Sequence, residues 1–432
     1  MKSNQKHQTI GVDFPNSAHK KLPIGWKRKT LGSIANVSWG DTKTTKSSYV
    51  NLGFDAYSAK GQDGYLPWAD YEKTGVVLSA IGAECGKTWL AKGKWSCIKN
   101  TIRFWATDPG INTEFLYWAT CHPSLWPKRG SVQPFISQGD ARVLEIDIPP
   151  LSEQHAIAHI LGTFDDKIEL NRRINETLEK MARALFKSWF VDFDPVRAKM
   201  GGRDPALPKH IADLFPDRLV ESELGEIPEG WQVKLFGDII NRLGGNINPF
   251  TYPDTVFSHF SIPAYDEGQF PKQELGTEIK STKTRVPSGA ILLSKLNPEI
   301  ERVWLVDVMD DEAAICSTEF LVLQGRTPIQ RSYIYCLACN SFFREQIKSL
   351  VTGTSKSHQR APASAIIKLE VVFPPGSIAQ MFESRASELF NRVLYCRREI
   401  KTLSALRDAL LPRLISGEIR LREAEKVMQN VM

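Results

Sequence analysis

Two motifs in the sequence approach known chemical sites, but each lacks a residue that the chemistry requires. Gly82-Ala-Glu-Cys-Gly-Lys-Thr88 is one residue short of a phosphate-binding loop, which needs a glycine where Ile81 stands. His155 and His159 have the spacing of a helical zinc pair, but Ala156 occupies the position of the glutamate base of a zinc protease. We therefore predict neither nucleotide binding nor metal-dependent hydrolysis at these motifs.

Cysteines and paired prolines also lack the partners that a functional site needs. Cys336 and Cys339 form a lone CxxC pair, whereas a structural zinc site needs four ligands, so we interpret them as core cysteines. The Pro-Pro pairs at 149–150 and 374–375 have the prolines of an amino-methyltransferase motif. They lack its polar and aromatic residues, which bind the target base, so we interpret them as strand ends.

One pattern leaves an enzymatic alternative open. Pro253-Asp254 followed by Glu278-Ile-Lys280 fits a loose nuclease pattern of the PD-(D/E)xK kind. A stand-alone nuclease using Asp254, Glu278 and Lys280 would cleave DNA only with a metal ion. Such a pattern arises readily by chance in 432 residues, and the first half of the chain has no counterpart. We therefore predict no catalytic residue and no metal ligand.

Polar and basic loops with interleaved aromatic residues are the candidate binding sites. The loops at 130–138 and 353–360 are rich in side chains that bond base edges or phosphates, although a solvated loop is the alternative for any single residue. The net charge of +6 permits a nucleic-acid partner without requiring one. The candidate DNA-binding residues are Lys87, Lys92, Lys94, Gln133, Gln138, Lys295, Arg302, Lys356, His358, Gln359 and Arg360.

The chain repeats itself. LPIGWKRKTLGSI at 22–34 recurs 205 positions later as IPEGWQVKLFGDI at 227–239. EIDIPP at 145–150 recurs 225 positions later as EVVFPP at 370–375. The segments between these repeats are nearly unrelated, and the second is about 20 residues longer. Similar scaffolds with dissimilar middles predict two copies of one module with two different specificities.

Each module is followed by a long predicted helix, at 152–190 and 377–415. Apolar residues recur there at alternating steps of four and three, which is a heptad seam. Helices of this length need a partner along the seam, so we predict that they pack on each other as a rod of undetermined orientation. The predicted seam residues are Ile157, Leu161, Phe164, Ile168, Asn171, Asn175, Leu178, Phe382, Leu389, Val393, Ile400 and Leu403.

The composition indicates a soluble cytoplasmic protein with several domains. Charged residues make up 24% and hydrophobic residues 42% of the chain, and the seven cysteines lack the dense spacing of a disulfide framework. No signal peptide or membrane-spanning run is predicted. The predicted organisation is a flexible N-terminus at 1–20, a first module at 21–151, a helix at 152–190, a linker at 191–226, a second module at 227–376, a helix at 377–415 and a tail at 416–432.

From about residue 20 to residue 425, the sequence resembles the specificity subunit of Type I restriction–modification enzymes. The openings LPIGW and IPEGW carry part of this resemblance. The other motifs are EIDIPPLSEQ at 145–154, FDDKIELNRRINETLEKMARALFKSWF at 164–190, LSKLNPEIERVWL at 293–305 and LLPRLISGEI at 410–419. The second pre-helix segment, FPPGSIAQMF, lacks the PLSEQ wording of the first.

The resemblance implies both a fold and a function. The implied fold is α+β, with two tandem mixed α/β target-recognition domains joined by two long helices that form an antiparallel, coiled-coil-like spacer with pseudo-two-fold symmetry. The implied function is non-catalytic recognition of a bipartite, asymmetric site in double-stranded DNA. A protein-only adaptor is a further alternative, and it would have no affinity for DNA.

The resemblance also implies partners and cofactors. Two methyltransferase subunits would carry S-adenosylmethionine, and two restriction subunits would use ATP and magnesium. No cofactor is implied in this chain. The methylated base would be flipped into the partner, because chemistry on a base requires its extrusion from the stack.

Overall fold

The computed structural model describes residues 22–130, 132–308, 313–327, 330–351 and 359–419. The predicted N-terminus at 1–20 and residues 420–432 of the predicted tail lie outside this part. The chain divides into two compact units, one formed by 1–170 with 399–432 and the other by 171–398. Each unit therefore contains one module and a stretch of both long helices.

The first unit is rich in β-structure. Its elements are β1 (Lys27–Thr30), α1 (Leu31–Ile34), β2 (Ala35–Trp39), β3 (Phe54–Ser58), β4 (Gly61–Leu66), β5 (Tyr71–Glu72), β6 (Gly75–Ser79), β7 (Thr88–Ala91), β8 (Lys94–Cys97), β9 (Thr101–Ala106), α2 (Thr113–Thr120), α3 (Gln138–Arg142), β10 (Glu145–Ile148) and the first half of α4 (Leu151–Phe190). One four-stranded sheet has the order β2-β9-β6-β7, and the other has the order β4-β3-β8-β5. The two sheets share an apolar cluster that includes Tyr57, Val77 and Trp95.

The second unit repeats this plan with additions. Its elements are the second half of α4, α5 (Asp194–Met200), α6 (Lys209–Ala212), β11 (Leu219–Ser222), β12 (Gly225–Pro228), β13 (Gln232–Leu235), α7 (Phe236–Ile239), β14 (Ile240–Leu243), β15 (Asn246–Ile247), β16 (Val256–Phe260), α8 (Ile262–Asp266), β17 (Lys272–Leu275), β18 (Lys283–Arg285), β19 (Ile291–Ser294), β20 (Val303–Leu305), β21 (Ala314–Cys316), β22 (Phe320–Gly325), α9 (Arg331–Cys339), α10 (Ser341–Ser349), α11 (Ala363–Ile366), β23 (Glu370–Phe373) and most of α12 (Gly376–Ile415). The sheets have the orders β14-β22-β19-β20 and β15-β18-β21-β16-β17. Phe260, Trp304 and Val322 pack between them.

The repeated entrance and exit of each module pair with each other. In the first unit β1 runs antiparallel to β10, with Lys27 opposite Ile148. In the second unit β13 runs antiparallel to β23, with Gln232 opposite Phe373. These positions correspond in the sequence repeat, so the repeated segments form the same strand pair in the same register, and each pair closes its module.

The segment predicted as a linker, 191–226, is folded. It contains α5, α6 and the hairpin of β11 and β12. Phe193, Ile211 and Phe215 join the apolar core of the second unit, where the Trp189 and Phe215 rings lie 5.1 Å apart. The prolines and glycines of this segment therefore end short elements, while the apolar residues between them hold it against the core.

The two long helices run antiparallel within each unit. In the first unit Asp165 pairs with Arg407, and Lys167 pairs with Glu399. In the second unit the Glu179 carboxylate lies 2.8 Å from a guanidinium nitrogen of Arg397, and the ring centres of Phe186 and Phe382 lie 5.9 Å apart. Partner numbers fall along α12 as they rise along α4, which settles the orientation that the heptad pattern left open.

The predicted seam residues are buried in their units, except for the half-buried Leu178 and Leu389. Asn171 and Asn175 are 1% and 9% exposed, so these amides lie within the helix packing. Buried asparagines at such positions fix the register of paired helices at some cost in stability. That role for Asn171 and Asn175 stays a prediction.

Each long helix also holds the start of a short helix, but through different residues. In the first unit the fully buried Gln154 accepts the Asn112 N–H at 2.8 Å and donates to the Pro149 carbonyl at 2.9 Å. In the second unit Glu383 accepts the N–H and the hydroxyl of Ser332 at 2.8 and 2.9 Å. The contacts of Gln154 hold α2, and those of Glu383 hold α9. The second module, which lacks the PLSEQ sequence, therefore uses a different residue to hold its short helix.

Candidate nucleic-acid interface

The loop after β6 pairs with the polar loop that precedes α3. A β-bridge joins Ile81 to Phe135, and the Gly82 N–H donates to the Pro134 carbonyl at 3.0 Å. We call residues 80–87, 129–130 and 132–136 the first loop pair. Because the Gly82 amide is used within the protein, it is not free to bind a phosphate, which agrees with the absence of a complete phosphate-binding motif.

A tight turn presents the outer edge of the first loop pair. Gly130 has φ +80°, and a Cβ atom there would lie 2.8 Å from the Gln133 carbonyl oxygen. Glycine is therefore required at this position. The turn leaves Val132 97% exposed and also exposes Gln133, which places an amide side chain where a ligand can reach it.

The second module builds the same feature after β19. Leu296 forms a β-bridge with Arg360, and the Asn297 N–H donates to the Gln359 carbonyl at 2.8 Å. The Ala361 N–H donates to the Lys295 carbonyl at 3.1 Å. We call residues 295–302 and 359–361 the second loop pair. Because β6 and β19 are equivalent strands, the two loop pairs occupy equivalent places in their modules.

The predicted lysines of the first module all lie beside carboxylates. Lys87 pairs with Glu84, Lys92 with Glu114 at 2.9 Å and Lys94 with Glu72 at 3.6 Å. Of these lysines, only Lys87 belongs to the first loop pair. Lys92 and Lys94 flank the turn between β7 and β8, which the strand register places at the other end of the sheet. The structure therefore separates residues that the sequence grouped together.

Two predicted contacts are instead internal. Arg302 is 8% exposed and forms a two-pronged ion pair with Asp266 at 2.8 and 2.9 Å, so its guanidinium is not a surface group. Gln138 lies in the first turn of α3 and donates to the Val37 carbonyl at 2.7 Å. The spacing of polar residues could not distinguish these internal contacts from surface ones.

Two of the remaining predicted residues frame the second loop pair. Arg360 is exposed and pairs with Glu319 at 2.8 Å. Burial is the main cause that lowers the pKa of the half-buried Lys295, whose neighbours include Glu319 and Arg360. Gln359 contributes the backbone bond described above, while Lys356 and His358 lie outside the described residues.

Sequence reasoning missed Lys128. Its side chain lies against the first loop pair, since a Cβ atom at Gly86 would be 3.0 Å from Lys128 Cε. Together with burial, the Lys128 charge lowers the pKa of His122. Arg129, next in sequence, pairs with Asp140 at 2.5 Å. The pair Lys128-Arg129 immediately before the polar loop was the available signal for this basic edge.

The part of the chain that the structure describes shows no metal site for the nuclease alternative. Glu278 accepts the Leu275 N–H at 2.9 Å, which gives its carboxylate a capping role. Among the residues that the structure describes, no three His, Cys, Asp or Glu side chains gather to hold a metal ion. None of the helices in the described ranges combines the length and the apolar character needed to cross a bilayer.

The second unit is expected to lose stability as the pH falls from 7 to 5. Burial lowers the pKa of His259, although Glu274 beside it favours the charged form, and Lys283 and Lys272 disfavour it. The unfolded chain then binds more protons than the folded chain near the ordinary imidazole pKa of about 6.5, so stability rises with pH across that range. Urea unfolding at pH 5, 6 and 7 checks this, and His259→Gln should flatten the profile. If the free energy of unfolding of the variant depends on pH as steeply as that of the wild type, the pH dependence does not come from His259.

The chain is similar to known type I restriction enzyme specificity subunits. A family model described as the type I restriction modification DNA specificity domain matches residues 23–180. The chain is 26% identical to the type I restriction enzyme MjaIX specificity subunit of Methanocaldococcus jannaschii, over 95% of this chain and 98% of the relative. It is 29% identical to the HindI specificity subunit of Haemophilus influenzae, over 67% of this chain and 72% of that protein.

A solved structure shows the same fold. The S subunit of a type I restriction–modification system from M. genitalium aligns with a TM-score of 0.57 at 17% identity, and the alignment covers 91% of this chain and 98% of that one. The α+β class with two tandem mixed modules and long connecting helices is thereby confirmed.

Proposed function

We propose that the chain is a non-catalytic specificity subunit of a type I restriction–modification system, and that each loop pair reads one part of a bipartite, asymmetric DNA site. Its similarity to known specificity subunits supports this proposal. One observation carries this proposal. Both modules build the loop pair after an equivalent strand, from segments whose sequences are unrelated. An equivalent position with different side chains suits two readers of different base sequences.

We assign the target-recognition domains to 21–151 and 227–376 and the spacer to the helices at 152–190 and 377–415. The linker at 191–226 then joins two similar modules rather than two different functions. Gln133 and Gln359 have the amide chemistry that bonds adenine edges, whereas lysine and arginine suit guanine or phosphate. The loop pairs are the first places to search for base contacts.

The proposed assembly contains two methyltransferase subunits with S-adenosylmethionine and two restriction subunits with ATP and magnesium. The paired entrance and exit strands support two equivalent docking positions, because a repeated scaffold can present the same surface twice. We place the assembly in the cytoplasm. None of the seven cysteines forms a disulfide, and reduced thiols suit such a compartment.

Methylation-site mapping tests the proposed function. DNA from cells that make this chain with its cognate methyltransferase is sequenced by a single-molecule method, and cells that lack only this chain serve as the control. Methylation at one split motif, present only with this chain, is the expected result. With the methyltransferase verified as expressed and active, methylation that is independent of this chain would refute the proposal.

Variants in the two loop pairs should relax different halves of the motif. Gln133→Ala should loosen one half and Arg360→Ala the other, each by about 1–3 kcal/mol of base discrimination. Matched controls are Gln62→Ala, on the exposed side of β4, and Arg218→Ala, in an exposed ion pair of the second unit. The same mapping reads both halves at once. Relaxation of both halves by one variant would argue against separate readers.

A further inference from the structure

A group of cationic and aromatic side chains lies on the first module, away from the loop pair. Arg103 and Trp105 alternate along β9 and therefore lie on one face of the sheet. The Arg103 guanidinium lies 4.2 Å from the Trp105 ring centre and 5.2 Å from that of Tyr71. The Lys73 ammonium lies 4.7 Å from the same Trp105 ring. We call Lys73, Arg103, Trp105, Tyr71 and Asn36 the cationic ledge.

The ledge is fixed to the core beneath it. The fully buried Trp95 donates its indole N–H to the Lys73 carbonyl at 2.7 Å, and its ring lies 4.6 Å from Tyr71. Arg103 Nε donates to the Tyr71 hydroxyl at 3.3 Å, and Arg103 Nη1 donates to the Asn36 side-chain oxygen. These contacts orient the guanidinium in advance, which reduces the entropy lost when a ligand binds.

The two cations of the ledge are not neutralised by a carboxylate. Among the described residues, no acidic side chain lies within ion-pair distance of Lys73 or Arg103, and the nearby Glu72 pairs with Lys94. A ring face attracts a cation only weakly at an exposed site and does not remove its charge. Lys73 is exposed, and Arg103 and Trp105 are half-buried, so the positive charge can be reached from solvent.

The second module has no such ledge. On the equivalent strand, β22, Val322 stands where β9 has Arg103, and Gln324 stands where it has Trp105. Val322 is buried in the apolar cluster between the sheets of its own module. The cationic ledge therefore belongs to the part of the first module that differs from the second, and the scaffold shared by both modules does not require it.

We propose that the cationic ledge binds two backbone phosphates of DNA, one at Lys73 and one at Arg103. The proposal rests on the proposed function, because it adds further contacts to the duplex that the first loop pair reads. Arginine offers planar donors to phosphate oxygens, and Arg103 keeps Nη2 available after its bonds to Tyr71 and Asn36. A phosphate contact positions the duplex without reading its sequence. The ledge thus raises the affinity for DNA of any sequence. It also gives the first module phosphate contacts that the second module lacks.

The test measures DNA affinity against salt for the full chain assembled with its methyltransferase. The double variant Lys73→Gln/Arg103→Gln should lower the slope of log K against log salt by about 1.8, since each phosphate contact contributes about 0.9. At 0.15 M salt this corresponds to roughly thirtyfold weaker binding, equal for cognate and unrelated duplexes. Lys180→Gln/Lys187→Gln, an equal charge loss on exposed positions of α4, should leave the slope unchanged.

Three outcomes distinguish the proposals. An unchanged slope in a folded double variant would overturn the ledge and leave the proposed function intact. If Arg103→Gln lowers the melting temperature sharply, the single variant Lys73→Gln tests the phosphate contact instead. The Lys73 side chain is exposed and can be changed without altering the core. This variant should lower the slope by about 0.9, and no change would refute the phosphate contact. A wild-type complex that binds no DNA would refute the proposed function and the ledge with it.

Discussion

Replacing Arg407 by alanine is expected to destabilise the first unit by about 3 kcal/mol, because two half-buried carboxylates lose their charged hydrogen bonds and the packing of a buried side chain is lost. Arg407 is 7% exposed, pairs with Asp165 of α4 and lies 2.7 Å from Asp408. Burial opposes the guanidinium charge, but Asp165 and Asp408 hold the pKa of Arg407 above its ordinary value. The pair also joins α4 to α12, so its loss weakens the helix packing directly.

Thermal and urea unfolding of the purified chain measure this effect. Arg413→Ala provides a matched control on the same helix, because Arg413 pairs with Glu418 at 3.0 Å while both side chains are more than half exposed. An exposed pair of this kind contributes about 0–1 kcal/mol. Equal destabilisation by both substitutions would show that burial does not increase the contribution of the Arg407 ion pairs to the free energy of unfolding.

Replacing Gln154 by alanine should cost about 3 kcal/mol, because three backbone groups lose a partner and each unsatisfied buried group costs about 1–3 kcal/mol. The side chain accepts the Asn112 N–H at 2.8 Å and donates to the Gly110 and Pro149 carbonyls, both at 2.9 Å. No water can replace it readily, since Gln154 is 0% exposed. The start of α2 should loosen first.

Hydrogen exchange at Asn112 and along α2, together with the unfolding midpoint, checks this expectation. His159→Ala is the control, because His159 lies about one turn further along α4 and its side chain is exposed. It should change stability by less than about 0.5 kcal/mol. Unchanged protection of α2 in Gln154→Ala would show that the helix does not depend on this contact.

The sequence repeat predicted the closing strands and long helices well, because local patterns determine them. The matched segments around Lys27 and Gln232 enter their modules, and those around Ile148 and Phe373 leave them; the structure pairs each entrance with its exit. Heptad spacing likewise located both helices to within a residue at their beginnings, Leu151 and Gly376. Their antiparallel orientation required contacts distant in sequence, or the family resemblance.

The candidate site was less predictable, because its charges are decided by partners far along the chain. Nothing near Arg302 in the sequence reveals that Asp266 will bury it in an ion pair. Lys73 and Arg103 become neighbours only when β5 and β9 come together around Trp105. Composition therefore identified the polar loops, while three-dimensional pairing determines which cations remain available for a ligand.

The different anchors of α2 and α9 set limits on the construction of chimaeras. If a middle segment is transplanted into the first module and its boundary lies before residue 154, the recipient chain supplies the side chain at that position. A start of α2 that depends on Gln154 would lose its hydrogen bonds if the recipient residue were alanine. In the second module the boundary would have to lie beyond Glu383, more than one helical turn further into α12. Engineered exchange of recognition segments thus calls for unequal junctions in the two modules, even though the sequence repeat suggests that the same junction would serve both.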